Sequence, residues 1–267
     1  MTNSSNVRTR TPLAVTLSVW KALFLRETIT RLSATRGAAV WLLLEPILHT
    51  TVMLVIFTVI RVKVLSGIDV LAWLIIGLTF ISVYKRTASQ VQGAIGANKT
   101  LFAYRQVKPV DSLLVRAFLE GFLASIIILI TCAGAVFLFD VDLIPDDAGM
   151  VLSGFLGLWL MGLGFGLVCS AAVELIPEMG KIIAMLNMPI MMTSGSILPI
   201  NSISEPYRTW ILYNPLVHGL EVARLGVSSY YHVVTGTNLL YLYQCALVAI
   251  FLGLALQIRF ASKILTK

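Results

Sequence analysis

The chain has 267 residues, of which 58% are apolar and only 12% are charged, about half the charged share of a typical soluble domain. This composition excludes a disordered chain and argues against a soluble globular protein. The formal net charge of +7 therefore raises the question of which side of a lipid bilayer the bases occupy. We expect no nucleic-acid partner.

The first predicted element is a helix over Leu13–Leu32. Its apolar stripe consists of Leu13, Leu17, Trp20 and Phe24, which repeat at the three- and four-residue spacing of one helix face. This pattern predicts a helix that lies in the membrane interface, with Trp20 as an anchor. A simple amphipathic lead-in to the first membrane span is the alternative.

Six apolar runs are long enough, or nearly so, to cross a bilayer. They are Ala38–Ile60, Val70–Tyr84, Leu113–Phe139, Met150–Val173, Ile182–Ile200 and Leu239–Phe260. The second run is short unless its helix continues past Lys85 and Arg86. The pattern predicts an all-α polytopic membrane protein with six transmembrane helices.

Most of the 20 Lys and Arg residues fall on one side of these spans, in segments that include both ends of the chain. Four bases fall on the other side: Arg61, Lys63, Arg208 and Arg224. The positive-inside rule then predicts that both termini are cytoplasmic. The expected divisions are a cytoplasmic N-terminus at residues 1–37, a transmembrane domain at 38–260 and a cytoplasmic tail at 261–267.

The cytoplasmic loop at residues 85–112 contains Leu101, Phe102 and Tyr104 beside several bases. A solvated loop does not need three large apolar side chains together, whereas aromatic and Arg residues are enriched at the centres of protein interfaces. We therefore predict a short helix that docks on another protein. Packing against the membrane surface is the alternative.

The sequence of the outer loop at residues 201–238 predicts two helices that are too short to span the membrane, Pro206–Leu212 and Pro215–Leu225. Ser204 is expected to cap the first and Asn214 the second, each followed by a proline. We interpret them as a re-entrant pair in the outer leaflet, where broken helices are tolerated if protein surrounds them. An exposed amphipathic loop is the alternative.

The sequence contains no catalytic constellation and no nucleotide-binding loop. The GLGFG run at residues 162–166 has no Lys and lies within an apolar span, so it does not fit a phosphate loop. Gly162, Gly166 and Ser170 instead repeat at the small-xxx-small spacing that lets helices approach closely. The partner helix could belong to the same chain or to a second copy.

Ionisable residues within the spans are few. Glu120 follows Arg116 by four residues, which predicts an ion pair between them. His218 and Glu221 share helical spacing, but a metal would want a third ligand, so we predict no metal site. A proton-coupled transporter usually needs an acid nearer the membrane midplane, and its absence weighs against that class.

Five blocks carry a resemblance to a known family. They are LFLRETITR (Leu23–Arg31), LEP (Leu44–Pro46), LFAYRQVKPVDSLLVRAFLE (Leu101–Glu120), PEM (Pro177–Met179) and NPLVHGLEVAR (Asn214–Arg224). They resemble, in the same order, the inner-membrane permease subunit of ATP-driven capsular polysaccharide exporters of Gram-negative bacteria, an ABC-2 type transporter. The chain departs from the family pattern at Ala38–Ala39, where family members tend to have an aromatic residue, and at Gly96, where they tend to have an acid.

The resemblance implies an ABC-2 exporter fold and a homodimer in the inner membrane. It implies no cofactor in this chain, since a cytoplasmic nucleotide-binding subunit would bind ATP and Mg²⁺. Further partners would be a periplasmic adaptor and an outer-membrane export protein, and the cargo would be a lipid-linked acidic polysaccharide. Related ABC exporters of O-antigen or teichoic-acid polymers are the alternative, followed by a secondary transporter that works alone.

Residues Asn98–Pro109 would then form a coupling helix that receives the stroke of the ATPase. The residues assigned to ATPase coupling are Arg26, Glu27, Asn98, Lys99, Phe102, Tyr104, Arg105 and Pro109. The bases and aromatics expected along the substrate path are Trp41, Trp73, Tyr84, Lys85, Arg86, Arg105, Arg116, Tyr207, Trp210, Tyr213, His218 and Arg224. Their alternative roles are topology signals for the bases and membrane-belt positions for the aromatics.

Overall fold

The computed structural model describes residues 11–33, 37–59, 64–104, 106–261 and 263. Its α-helices are α1 (Pro12–Ser33), α2 (Ala38–Val59), α3 (Val70–Gln92), α4 (Ala94–Asn98), α5 (Pro109–Phe139), α6 (Ala148–Leu175), α7 (Met179–Met192), α8 (Tyr207–Ile211), α9 (Pro215–Val227) and α10 (Leu239–Arg259). Short 3-10 helices cover Lys99–Ala103 and Ile200–Ser202. Strands β1 (Val64–Leu65) and β2 (Ile68–Asp69) pair in an antiparallel hairpin.

Within the described residues, four helices are long and apolar enough to cross a membrane: α3, α5, α6 and α10. The shorter apolar helices are Ile47–Ile56, within α2, and α7. The second predicted span does continue past Lys85 and Arg86, because α3 extends to Gln92. The N-terminal helix also forms, as α1, and it packs against α2 and α5.

The fifth predicted span is wrong in its second half. Helix α7 ends at Met192 and not at Ile200. Pro189 lies inside its last turn, and the Ser194 hydroxyl donates to the Met191 carbonyl oxygen at 2.6 Å. Because Gly195 adopts a positive φ of 76°, the chain leaves the helix in a turn and continues irregularly to the next element.

Helix α6 is central to the fold, because it packs against α3, α9 and α10. A Cβ added at Gly162 would lie 2.8 Å from the Tyr84 carbonyl oxygen, and one at Gly166 would lie 2.9 Å from the Ala88 carbonyl oxygen. Ser170 is fully buried. The helix that approaches these small residues is therefore α3 of the same chain, which runs in the same direction as α6.

The short helices begin in two different ways. Asn214 caps α9 as predicted, since its side chain accepts from the Leu216 N–H at 3.1 Å. The predicted Ser204 cap of α8 is wrong, because the Glu205 carboxylate accepts from the Thr209 N–H and hydroxyl instead. Helix α8 is also shorter than expected.

We name the two ends of the helix bundle by their short elements. The α4 end contains α4, the 3-10 helix Lys99–Ala103 and the adjoining ends of α3 and α5. The α8–α9 end contains the β hairpin, α8, α9 and residues 228–238. There the His232 N–H donates to the Ser66 carbonyl oxygen at 2.8 Å, which fastens the hairpin to the segment that follows α9.

Candidate functional site

Two buried acids organise the α4 end. Glu27 of α1 accepts from Arg116 Nε of α5 at 3.0 Å and from Asn98 Nδ2 of α4 at 2.9 Å. Burying a carboxylate is costly unless charged and hydrogen-bonding partners surround it. Glu27 therefore ties three elements together: the N-terminal helix α1, the short helix α4 and the long apolar helix α5.

The second acid is Glu120 of α5, whose side chain is 1% exposed. It binds Arg31 of α1, and Arg86 Nε of α3 lies 3.4 Å away. Arg31 also donates to the Gln90 side chain at 2.9 Å. We call this group the charge network; it consists of Glu27, Arg31, Arg86, Gln90, Asn98, Arg116 and Glu120.

The charge network corrects one prediction. Arg116 and Glu120 lie four residues apart on α5, but the ion pairs run to other helices: Arg116 binds Glu27, and Glu120 binds Arg31 and Arg86. Pairs between helices bury the charges more completely than a pair along one exposed face. The network therefore holds α1 against α3 and α5.

The network also sets the ionisation of Glu27. Burial alone would raise the pKa of this carboxyl group, but the Asn98 amide and the Arg116 and Arg31 guanidinium groups outweigh that effect. The pKa of Glu27 is therefore lowered from its usual value of 4.5. The carboxylate is charged at neutral pH and keeps its partners.

A pH dependence of stability follows from this lowered pKa. A carboxyl whose pKa is lower in the folded state stabilises the fold above its unfolded pKa, and this stabilisation is lost as the pH falls through the folded value. We expect the Tm of the purified protein to fall below pH 4.5, and to fall less steeply in Glu27→Gln, which has no charge to lose. Thermal unfolding at several pH values measures this; equal slopes for the two proteins would contradict it.

The predicted coupling helix Asn98–Pro109 is only partly helical. The 3-10 helix ends at Ala103, Tyr104 is extended, and Pro109 occupies the first turn of α5. A proline is well placed at that position because its missing N–H would have no helical partner. The helical part of this connection comes earlier, from Ala94 to Ala103.

The side chains of this segment divide into two groups. Phe102 packs inward, against the buried cluster around Ile95 and Leu113. Tyr104 is 67% exposed and points away from that core. Arg26 is half-buried on α1, and Arg105 lies outside the described residues. Tyr104 is therefore the aromatic residue of this segment that a partner can contact.

Gly96 and Lys99 lie beside an acid from another helix. A Cβ at Gly96 would be 3.6 Å from Glu174 Oε1 of α6, and Lys99 Nζ is 3.3 Å from Glu174 Oε2. Members of the resembled family tend to have an acid at the position of Gly96. In this chain, Glu174 of α6 places an acid beside that position. The ion pair connects the 3-10 helix to the central helix of the bundle.

A second buried polar cluster lies at the α8–α9 end. Glu221 and Arg224 of α9 are each 1% exposed and form an ion pair at 3.1 Å. Glu221 also accepts from the Tyr231 hydroxyl at 2.9 Å and from the Val234 N–H at 3.1 Å. These bonds fold residues 228–234 back onto α9.

Arg224 is held from two further directions. Its Nη2 donates to the Gly195 carbonyl oxygen at 2.9 Å, and its guanidinium carbon lies 3.8 Å from the ring centre of Trp73. Gly77 of α3 leaves room for this side chain, because a Cβ there would be 2.6 Å from Arg224 Nη2. Arg224 therefore joins α9 to α3 and to the turn after α7.

The aromatics and bases of the predicted path fall into two groups. Buried or paired within the chain are Trp73, Tyr84, Arg86, Arg116, His218 and Arg224. Exposed are Trp41, Lys85, Tyr207, Trp210 and Tyr213. Burial gives the first group a structural role. Only the exposed group therefore remains as candidates for contact with a substrate.

Sequence reasoning assigned no site role to Arg31, Gln90 or Tyr231. Arg31 ends the first motif block, whereas Gln90 and Tyr231 lie in no block, and the side chains with which these three form hydrogen bonds are 10 to 89 positions away in the chain. The available signal was that an acid inside an apolar helix needs a partner from a neighbouring helix. Within the described residues, no three His, Cys, Asp or Glu side chains come together in a way that could hold a metal ion.

Comparison with known proteins decides the family. The sequence model of the ABC-2 type transporter matches residues 18–227, which include α9 and every residue of the charge network. The chain belongs to the ABC-2 type transporter family. In this family member, the match ends at Val227, with the last residue of α9.

Individual relatives extend over almost the whole chain. The polysialic acid transport protein KpsM of Escherichia coli is 34% identical over 241 residues, which cover 88% of this ABC-2 chain and 91% of the relative. The capsule polysaccharide export inner-membrane protein CtrC of Neisseria meningitidis is 30% identical over 93% of each chain. The corresponding protein BexB of Haemophilus influenzae is 27% identical, also over 93% of each chain.

Proposed function

We propose that this chain is the transmembrane permease subunit of an ATP-driven exporter that moves capsular polysaccharide from the cytoplasm to the periplasm. The observation that carries the proposal is the family match together with relatives, aligned along nearly the full length, that are named for capsule polysaccharide export or polysialic acid transport. The chain itself would not bind ATP. The glycine-rich run at residues 162–166 packs against α3 through Gly162 and Gly166 and against α10 through Gly164.

The proposed position in the cell is the inner membrane of a Gram-negative bacterium. Helices α2 and α7 would complete six spans with the four longer helices. The bias of Lys and Arg supports placing the α4 end and both termini in the cytoplasm, and the α8–α9 end at the periplasmic side. The α8 and α9 pair is then re-entrant at that side, where protein surrounds most of α9.

We propose that the cytoplasmic ATPase docks on the α4 end. Exposed Tyr104 and half-exposed Lys99 offer the contact surface, while Phe102 anchors the segment in the core. A push on this segment reaches α1 and α5 through the Asn98–Glu27 bond, and α6 through the Lys99–Glu174 ion pair. Rigid polar connections of this kind suit the transmission of a stroke, because they resist deformation.

The docking proposal predicts the effect of Tyr104→Ala. Loss of an exposed aromatic at an interface centre typically costs about 2 kcal/mol, so we expect roughly 30-fold weaker retention of the ATPase subunit. Co-purification of the tagged permease with its ATPase measures this. The matched control is Tyr230→Ala, because Tyr230 is also largely exposed, at 80%, but lies at the opposite end. Equal ATPase recovery from both variants would contradict the docking site.

We propose that the cargo is a lipid-linked acidic polysaccharide, as the family resemblance implies. Among the described bases of the predicted path, Lys85 in the second half of α3 is exposed, and it is the base that attracts the cargo in this proposal. Exposed Trp41, Tyr207, Trp210 and Tyr213 are aromatic faces for its sugar rings. The homodimer, the periplasmic adaptor and the outer-membrane export protein are proposed from the same resemblance.

Deletion of the gene tests the function as a whole. We expect surface polysaccharide to disappear and the polymer to accumulate inside the cell, with recovery when the gene is restored. Chemical identification of the retained polymer separates capsule from O-antigen or teichoic acid. Normal capsule on the deletion strain would reject the proposal, and transport by the reconstituted permease without an ATPase would favour a secondary transporter.

A further inference from the structure

An open cleft of about 300 Å³ lies at the α8–α9 end, between α8, the start of α9 and the first turn of α10. Thr209, Tyr213, His218, Asn238 and Tyr241 contribute to its walls. These side chains offer hydroxyl, amide and imidazole groups together with aromatic faces. None of the described residues that line the cleft is Lys, Arg, Asp or Glu.

The inner wall of the cleft is fixed by its own hydrogen bonds. His218 Nδ1 accepts from the Asn238 N–H at 3.0 Å, so its Nε2–H donates to the Leu212 carbonyl oxygen at 2.9 Å. The Tyr241 ring meets the imidazole edge-on at 5.1 Å, and its hydroxyl donates to the Tyr213 carbonyl oxygen at 3.1 Å. The wall is therefore rigid, with an uncharged imidazole.

The outer wall has groups that remain available. The Tyr213 ring is 72% exposed, although its backbone is held by Tyr241. The Asn238 side-chain oxygen caps α10 by accepting from the Leu240 N–H, and its NH₂ group has no hydrogen-bond partner among the described residues. Tyr207 and Trp210 stand nearby as an edge-to-face pair at 5.5 Å. The cleft thus combines a free aromatic face with free hydrogen-bonding groups.

We propose that this cleft binds one sugar residue of the exported polysaccharide through the uncharged face of its ring. A sugar ring has C–H groups on its faces, which pack on an aromatic ring, and hydroxyls on its edge, which need donors and acceptors. A lipid phosphate headgroup is commonly held by Lys or Arg, and none of the described residues that line the cleft is either of these. This inference rests on the proposed function, since it assumes a polysaccharide cargo.

Direct binding to the full-length protein in lipid nanodiscs tests the inference without export. The probe is a set of short oligosaccharides, prepared by partial hydrolysis of the strain's own capsule, and binding is measured by saturation-transfer-difference NMR titration. Removing an aromatic stacking partner costs about 1 kcal/mol, so we expect Tyr213→Ala to weaken binding about fivefold. Tyr213→Phe keeps the ring and should bind nearly as well as the unaltered protein.

The matched control is Tyr230→Ala, because Tyr230 is also exposed at this end but does not line the cleft. It should bind the oligosaccharides normally. Unchanged binding by Tyr213→Ala, absence of binding to the unaltered protein, or equal binding of soluble glycerophosphoethanolamine would each overturn the inference. The proposed function is tested separately, by capsule export in the deletion strain with the gene restored. The cleft proposal can therefore fail while the proposed function stands.

Discussion

Replacement of Glu120 by leucine is expected to lower the free energy of unfolding by about 3–5 kcal/mol, because it removes one partner of a buried ion pair. Arg31 and Arg86 would then lie close together without the carboxylate that neutralises them. We expect α1 to separate from α3 and α5, and export to be lost with the stability. Thermal unfolding of the purified protein in detergent, followed by surface-polysaccharide assays, measures both effects.

The matched control for Glu120→Leu is Glu178→Leu. Glu178 is also an acid near the α4 end, but its side chain is exposed. The control should change the free energy of unfolding by less than about 0.5 kcal/mol, as is usual for a surface substitution. A similar Tm for both variants would show that the charge network does not stabilise the α4 end.

Glu221→Leu is expected to have an effect of similar size at the opposite end, about 3–5 kcal/mol. This substitution leaves buried Arg224 without its acid, and it removes the acceptor of the Tyr231 hydroxyl and of the Val234 N–H. Because those bonds hold residues 228–234 on α9, we also expect faster amide hydrogen exchange at Val234. Thermal unfolding and exchange mass spectrometry measure the two consequences.

Glu205→Leu is the matched control at the α8–α9 end. Glu205 also pairs with an arginine three residues later, Arg208, but its side chain is half exposed. An exposed pair contributes only about 0–1 kcal/mol, and loss of the bonds from Thr209 at the start of α8 costs about 1 kcal/mol more, so this variant should be destabilised much less than Glu221→Leu. Unaltered hydrogen exchange at Val234 in Glu221→Leu would mean that the buried acid does not hold the segment.

The membrane helices were the most predictable part of the fold. Spans three, four and six were found within a few residues of α5, α6 and α10, because long apolar runs with clear ends have few alternatives. The fifth run failed where an apolar composition continued through Pro189 and Gly195. Hydropathy does not register such helix breaks, since the turn after Met192 is set by backbone conformation and serine hydrogen bonds.

The candidate site was predictable in its parts but not in its connections. Glu27 and Asn98 were both assigned to ATPase coupling from the family resemblance, and the structure joins them with a 2.9 Å hydrogen bond. The spacing of Arg116 and Glu120 favoured a pair along one helix. That prediction failed because interhelical partners bury both charges more completely.

The sequence by itself determined that this is a basic, helical membrane protein, since apolar content and charge bias follow directly from residue types. Its motif blocks indicated the family that comparison then established. Only the tertiary structure decided which charges are free. Arg86 and Arg116 were predicted along the substrate path, yet buried acids from other helices hold them. The reason is physical: a charge in an apolar bundle binds its nearest opposite charge in space, and sequence spacing does not record that distance.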